Sequence, residues 1–379
     1  MRPNESRGMG DPMLGPHCSP RALGLPIHRA ATVRGTEQPG YKGSISHSAA
    51  QVTSSSEWED DEGALNLLRI AGMGRSGSTL LASLLGLVSG VVPVGEVAAV
   101  WQAAQIDELC SCGASFSQCP FWTAVGEAAF GGWDRIDSQQ LARVNQTILR
   151  HRKVPFLLNP HLREQERRLL ESYTTALSSV YRAIKQVTGA SVIVDSTKDP
   201  PYVLAMRKMP NVRVRLVHLV RDSRGVAFSS QKLVERPELV GVRGHEGIAL
   251  GGVAPTRSGP EWLIRNLLFH FIGALGTPRI LVRYESLTAD PVAEIRRVLE
   301  FSGKATASSE LAGVTDTDYE AKVFHTVGGN RIRFLRGRVP FRIDDAWRTQ
   351  MRLRDRLLVT MMTFPLLLKY GYIGPFNRT

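Results

Sequence analysis

The apolar run Leu65 to Ala71 passes directly into Gly72-Met73-Gly74-Arg75-Ser76-Gly77-Ser78-Thr79-Leu80-Leu81, and few chain paths accommodate that join. It reads as the end of a buried strand, a glycine-rich turn and the first turn of a helix. Glycines at 72, 74 and 77 allow positive φ, so several N–H groups can face one small concavity. Ser76, Ser78 and Thr79 add hydroxyls at the helix N-terminus, where the helix dipole also favours an anion. The spacing approaches the phosphate-binding pattern G-x-x-x-x-G-K-[ST], but Ser78 stands where the lysine belongs. The cation sits earlier, at Arg75. Such a loop suits a phosphate-like group and departs from ordinary Mg-nucleotide hydrolysis.

The rest of the chain alternates short β-branched runs with helical windows. Ser191 to Asp195, Val212 to Val220 and Arg279 to Tyr284 read as strands. Glu164 to Thr188, Pro201 to Met209, Trp262 to Leu275 and Pro291 to Ser302 read as helices. That order predicts an α/β fold with a central parallel sheet and crossover helices, its anion loop at the carboxyl end of a strand. Residues 1–62 are rich in Gly, Pro, Ser and His and show no hydrophobic period, so they read as a disordered extension, with a folded domain over 63–379. The Gly-rich stretch Val240 to Gly259 reads as a long loop. Of the formal charge of +12, residues 1–62 carry −2, which leaves +14 on the folded part. A basic body of that kind fits an anionic cofactor, substrate or membrane surface.

A second segment joins the first loop. Leu219-Val220-Arg221-Asp222-Ser223-Arg224 runs on to Ser229, placing an arginine at a strand tip and a serine eight residues later on the following helix. Arginine offers a planar fork suited to phosphate. Together with Gly72 to Leu81, this resembles the sulfotransferases that use 3′-phosphoadenosine 5′-phosphosulfate (PAPS), over roughly residues 64–375. The resemblance implies a three-layer αβα fold like that of P-loop nucleotide kinases. It implies a 5′-phosphosulfate site at Arg75, Ser76, Gly77, Ser78 and Thr79, and a 3′-phosphate site at Arg221 and Ser229. Glu96, in Val94-Gly95-Glu96, matches the base of tyrosylprotein sulfotransferases. Lys198, in Thr197-Lys198-Asp199-Pro200, matches a lysine that stabilises the transferring group. Tyr284, in Tyr284-Glu285-Ser286-Leu287, and Arg331, in Gly328-Gly329-Asn330-Arg331, would lie near the nucleotide. The expected reaction is sulfuryl transfer from PAPS to a hydroxyl of a carbohydrate, glycolipid or secondary metabolite, with no metal required. The alternative is an atypical P-loop kinase in which Asp195 holds Mg²⁺.

Cys110, Cys112 and Cys119 form a compact group. Three thiols could bind zinc with a fourth ligand such as a distant histidine, or two could form a disulfide. The paired Cys-x-x-Cys knuckles are missing, and no metal is assigned. The arginines from 331 to 356 make the C-terminal part basic, yet no groove-reading or base-stacking pattern accompanies them, so nucleic acid is not an expected partner. The last helix, about Trp347 to Leu368, has a basic start and an apolar end, and is expected to pack on the core rather than on a membrane surface. No secretory leader pattern and no run of roughly 18 apolar residues occurs. The expected location is the cytoplasm, with peripheral membrane contact as an option and the oligomeric state open.

Overall fold

Leu65, Leu67 and Ala71 alternate with Leu68 and Ile70 along the first strand, and both sets are buried. A strand apolar on both faces needs helices on both faces. The computed structural model describes residues 64–159, 161–239 and 249–374. The expected extension, 1–62, and the first part of the expected loop, 240–248, lie outside the described residues.

The strands are β1 (Leu65–Ala71), β2 (Val91–Gly95), β3 (Val192–Asp195), β4 (Val212–Val220), the two-residue β5 (Val234–Glu235) and β6 (Ala249–Leu250), β7 (Arg279–Arg283), β8 (Asp318–Ala321) and β9 (Gly337–Pro340). Five of them form one sheet in the order β2-β3-β1-β4-β7, every neighbouring pair parallel. The pairs β5·β6 and β8·β9 are small antiparallel ribbons. On one face, Leu65, Leu67, Ile193 and Leu216 pack under helices that include Val100–Ile106, Pro120–Phe130 and Glu164–Thr188. On the other, Leu68, Ile70, Val194 and Leu219 meet the helices Ser78–Leu85 and Pro291–Phe301. The three-layer αβα arrangement with a central parallel sheet is present.

Two expectations need correction. The helix predicted from Trp262 begins at Pro255 and runs to Ala274 with Pro260 inside it, so the loop predicted to reach Gly259 ends earlier. The last helix is two pieces, Trp347–Gln350 and Leu353–Lys369. Its longer piece buries Val359, Thr363, Leu366 and Leu367 but exposes Leu357, Met361, Phe364 and Leu368, so only one of its apolar faces packs on the core. Among the described residues, no helix is long and apolar enough to cross a membrane.

In a parallel sheet all carboxyl ends share one edge. Arg75 follows β1, Glu96 follows β2, Lys198 follows β3, Arg221 follows β4 and Tyr284 follows β7. The topology alone therefore gathers residues up to 209 positions apart along one rim, the rim at which open α/β sheets bind ligands.

Candidate active site

The anion loop is shaped by two glycines and one arginine. Gly72 has φ 148°, and a Cβ there would lie 2.2 Å from the Leu219 carbonyl oxygen of β4. Gly77 has φ 91°, and a Cβ there would meet the Tyr284 ring at 2.6 Å. Gly74, expected to take positive φ as well, does not. The left-handed residue is Arg75, at φ 71°. That conformation costs a non-glycine residue about 1–2 kcal/mol and tends to persist where function needs it. Gly77 then starts the helix Ser78–Leu85 with no side-chain cap and no acidic residue in the first turn. Its amide donors stay available, and the positive end of the helix stays uncompensated.

Positive charge converges on this loop. Arg221 donates to the Arg75 carbonyl at 2.9 Å, ion-pairs with Asp344 at 3.0 Å, and lies over the Tyr284 ring at 4.7 Å. Burial, followed by the nearby guanidiniums of Arg331 and Arg221, pushes the Arg75 pKa down, and Asp344 only partly opposes this. The Arg75 Nη2 and Ser76 Oγ atoms are buried with no hydrogen-bond partner among the described residues. Crowded cations and orphaned donors in one pocket are what an anion site requires. Arg331 itself is exposed at the mouth, and its segment is held down by the Asn330 amide, which donates to Thr79 Oγ1 at 3.2 Å. Ser229 is half-buried two turns along the helix Ser223–Gln231. Arg224 points elsewhere: it forks onto Asp222 and stacks on Trp347.

Lys198 and Glu96 form a direct ion pair, both partly buried. The turn carrying Lys198 is anchored by Arg265, which donates to the Lys198 carbonyl at 3.1 Å and to Asp199 Oδ1 at 2.8 Å. Glu96 is fixed through its backbone, whose amide donates to the Val327 carbonyl at 2.8 Å. Gly329, in the segment that follows, would bring a Cβ within 3.3 Å of Thr79 Oγ1 and 3.8 Å of Glu96 Oε1. So the anion loop, the Glu96–Lys198 pair and the 328–331 segment enclose one space.

Asp195 does not face that space. It is fully buried, paired with Arg69 at 3.2 Å, and accepts from the Tyr181 hydroxyl at 2.5 Å and from the Thr197 amide and hydroxyl, each at 2.7 Å. Both carboxylate oxygens are engaged by protein donors, which leaves Asp195 no lone-pair geometry for Mg²⁺. Sequence reasoning missed Asp344, Arg265 and the buried Arg333–Glu108 pair. Their partners are remote in sequence, and no local spacing signals them.

A family model described as the sulfotransferase family matches residues 68–307, and the chain belongs to that family. No curated protein sequence gives a significant match. Solved structures that resemble it include the sulfotransferase domain of the Synechococcus PCC 7002 olefin synthase, at 14% identity over 84% of this chain and 100% of that one, with a TM-score of 0.40. The sulfotransferase domain of the curacin biosynthetic pathway gives 16%, 82%, 99% and 0.42. Sulfotransferase STF9 from Mycobacterium avium gives 15%, 66%, 67% and 0.38.

Proposed function

We propose that the protein is a PAPS-dependent sulfotransferase acting on a hydroxyl of a small molecule or glycan in the cytoplasm. The observation that carries this reading is the half-buried Arg75, crowded by Arg221 and Arg331 beside unpartnered donors at an uncapped helix N-terminus. In this reading the amides of Gly77 to Thr79, Ser76 Oγ and Arg75 hold the 5′-phosphosulfate. Arg221 and Ser229 hold the 3′-phosphate, with the Tyr284 ring beneath Arg221.

The acceptor oxygen attacks sulfur in line with the bridging oxygen. Glu96 takes the hydroxyl proton, the new S–O bond forms, and the old one breaks with its electron pair left on the 5′-phosphate. As Glu96 is neutralised it ceases to be an anionic partner for Lys198. The ammonium can then follow the charge that develops on the bridging oxygen, alongside Arg75. Preorganised donors of this kind contribute about 3–4 kcal/mol each in a dry site.

The test is acceptor-dependent release of 3′-phosphoadenosine 5′-phosphate from PAPS in the presence of EDTA, across a panel of sugar, glycolipid and phenolic hydroxyls. Turnover that survives chelation supports the reading. Turnover only of Mg-ATP would overturn it.

A further inference from the structure

One side-chain cluster carries chemistry that sulfuryl transfer does not use. Cys110 and Cys112 sit in the turn after the helix Val100–Ile106, Cys119 precedes the helix Pro120–Phe130, and His325 follows β8. The fold closes these segments on one point, so that three Sγ atoms and a ring nitrogen all lie within 4.8 Å of one another. Cys119 Sγ is 3.2 Å from His325 Nδ1, Cys110 Sγ is 3.9 Å from the same nitrogen, and Cys112 Sγ is 3.8 Å from Cys119 Sγ. Zinc with Zn–S near 2.3 Å and Zn–N near 2.0 Å places tetrahedral sulfurs about 3.8 Å apart, and sulfur and nitrogen about 3.5 Å apart. These three edges come within about 0.4 Å of those of that tetrahedron.

We propose that Cys110, Cys112, Cys119 and His325 form a closed four-ligand structural site for Zn²⁺, which fastens the 324–330 segment over the anion loop. The sequence lacked the paired knuckles of common zinc sites because the fourth ligand comes from a segment 206 residues beyond Cys119. The surroundings fit thiolates. The Cys112 amide is directed at the Cys110 sulfur and the Trp122 amide at the Cys119 sulfur, and Cys119 stands at a helix N-terminus. His325 is stacked on Phe121 at 5.2 Å and 13°, which orients its ring. Zn²⁺ replaces the three thiol protons, which leave to solvent, and the site then carries a net charge of −1. Soft thiolates select Zn²⁺ over Mg²⁺, and four protein ligands leave no open position for catalysis.

The consequence for the active site runs through short contacts. Ser111, between two of the ligands, donates to the Phe324 carbonyl at 2.7 Å and accepts from the Thr326 amide at 2.8 Å. Two residues on, the Gly328 amide donates to Glu108 at 3.1 Å, and Asn330 reaches Thr79. A metal at His325 therefore sets the path of the backbone that closes the site beside Glu96. This inference is independent of the sulfotransfer reading.

The test is the metal content of the full chain, produced in zinc-supplemented medium without metal-affinity purification and dialysed against EDTA. The expected result is about one zinc per chain, with an X-ray absorption edge fitted by three sulfurs and one nitrogen. Cys119→Ser and His325→Ala should lose most of the metal, whereas Cys18→Ser should keep it. Stripping the zinc with a mercurial and a chelator should speed hydrogen exchange at the Gly328 and Asn330 amides. Should the variants fail to fold, the wild-type stoichiometry and absorption spectrum still decide. Folded wild-type protein with all four thiols titratable and no zinc would overturn the proposal, as would a disulfide between Cys112 and Cys119.

Discussion

The guanidinium of Arg221 donates to the backbone carbonyl of Arg75 at 2.9 Å, across 146 residues of sequence. The two segments that most define the site are thereby tied directly to each other. The arginine at the end of β4 props the strained, left-handed residue in the loop after β1, while Asp344 balances the charge of Arg221 from the other side. A ligand bearing two phosphate-like ends would displace that balance rather than build a site anew.

The Glu96–Lys198 pair gives a separable prediction. Glu96→Gln should lower turnover by about 10²–10⁴-fold, since it removes the proton acceptor. Lys198→Ala should lower it by about 10²–10³-fold. Neither should change affinity for 3′-phosphoadenosine 5′-phosphate by more than a few-fold. Steady-state rates with the identified acceptor, together with calorimetric titration of the nucleotide, check both halves.

Two glycines in the same loop should respond differently to alanine. Gly77→Ala forces a Cβ into the Tyr284 ring at positive φ, and should cost more than about 1 kcal/mol while weakening nucleotide binding. Gly74→Ala adds a methyl with nothing within 4 Å and no positive φ to sustain, so its melting temperature should match the wild type. Thermal unfolding of the pair reads the difference.

That contrast also marks how much the sequence could tell. The strand–loop–helix join and the Arg221 to Ser229 spacing were legible because strand, turn and helix signals are local. β2 is not legible in the sequence, because Pro93 interrupts its apolar run. It survives as an edge strand with a register shift between Pro93 and Gly95. The exchange of positive φ from Gly74 to Arg75, the hold of Asp344 on Arg221 and the arrival of His325 at the cysteines are all set by remote partners, and pattern cannot reveal those.

Asp195→Asn should destabilise by about 3–5 kcal/mol, because it leaves Arg69 buried beside an amide that cannot compensate its charge. The effect should appear in denaturant midpoints. Divalent-cation dependence of turnover should be the same before and after the change.

Acid should unfold the protein through a buried histidine cluster. Burial lowers the pKa of His218 to about 3 and that of His270 to about 4. An unfolded histidine titrates near 6.5, so between that value and the folded pKa the unfolded state holds more protons. Stability is therefore complete above about pH 6.5 and falls as pH drops, by up to about 1.4 kcal/mol per unit for each group. His218→Gln, which keeps hydrogen-bonding capacity toward Asn266 and Arg279, should flatten the decline of melting temperature between pH 6.5 and 4.

The most direct test is thermal unfolding with 3′-phosphoadenosine 5′-phosphate in EDTA, set against ATP with Mg²⁺, for wild type and Arg221→Ala. Ligand at a hundredfold over its dissociation constant adds about 2.7 kcal/mol. The proposed donor site requires that the 3′-phosphate nucleotide stabilise the wild type without metal and that Arg221→Ala abolish the effect. Stabilisation by Mg-ATP alone, or an undiminished shift in Arg221→Ala, would contradict it.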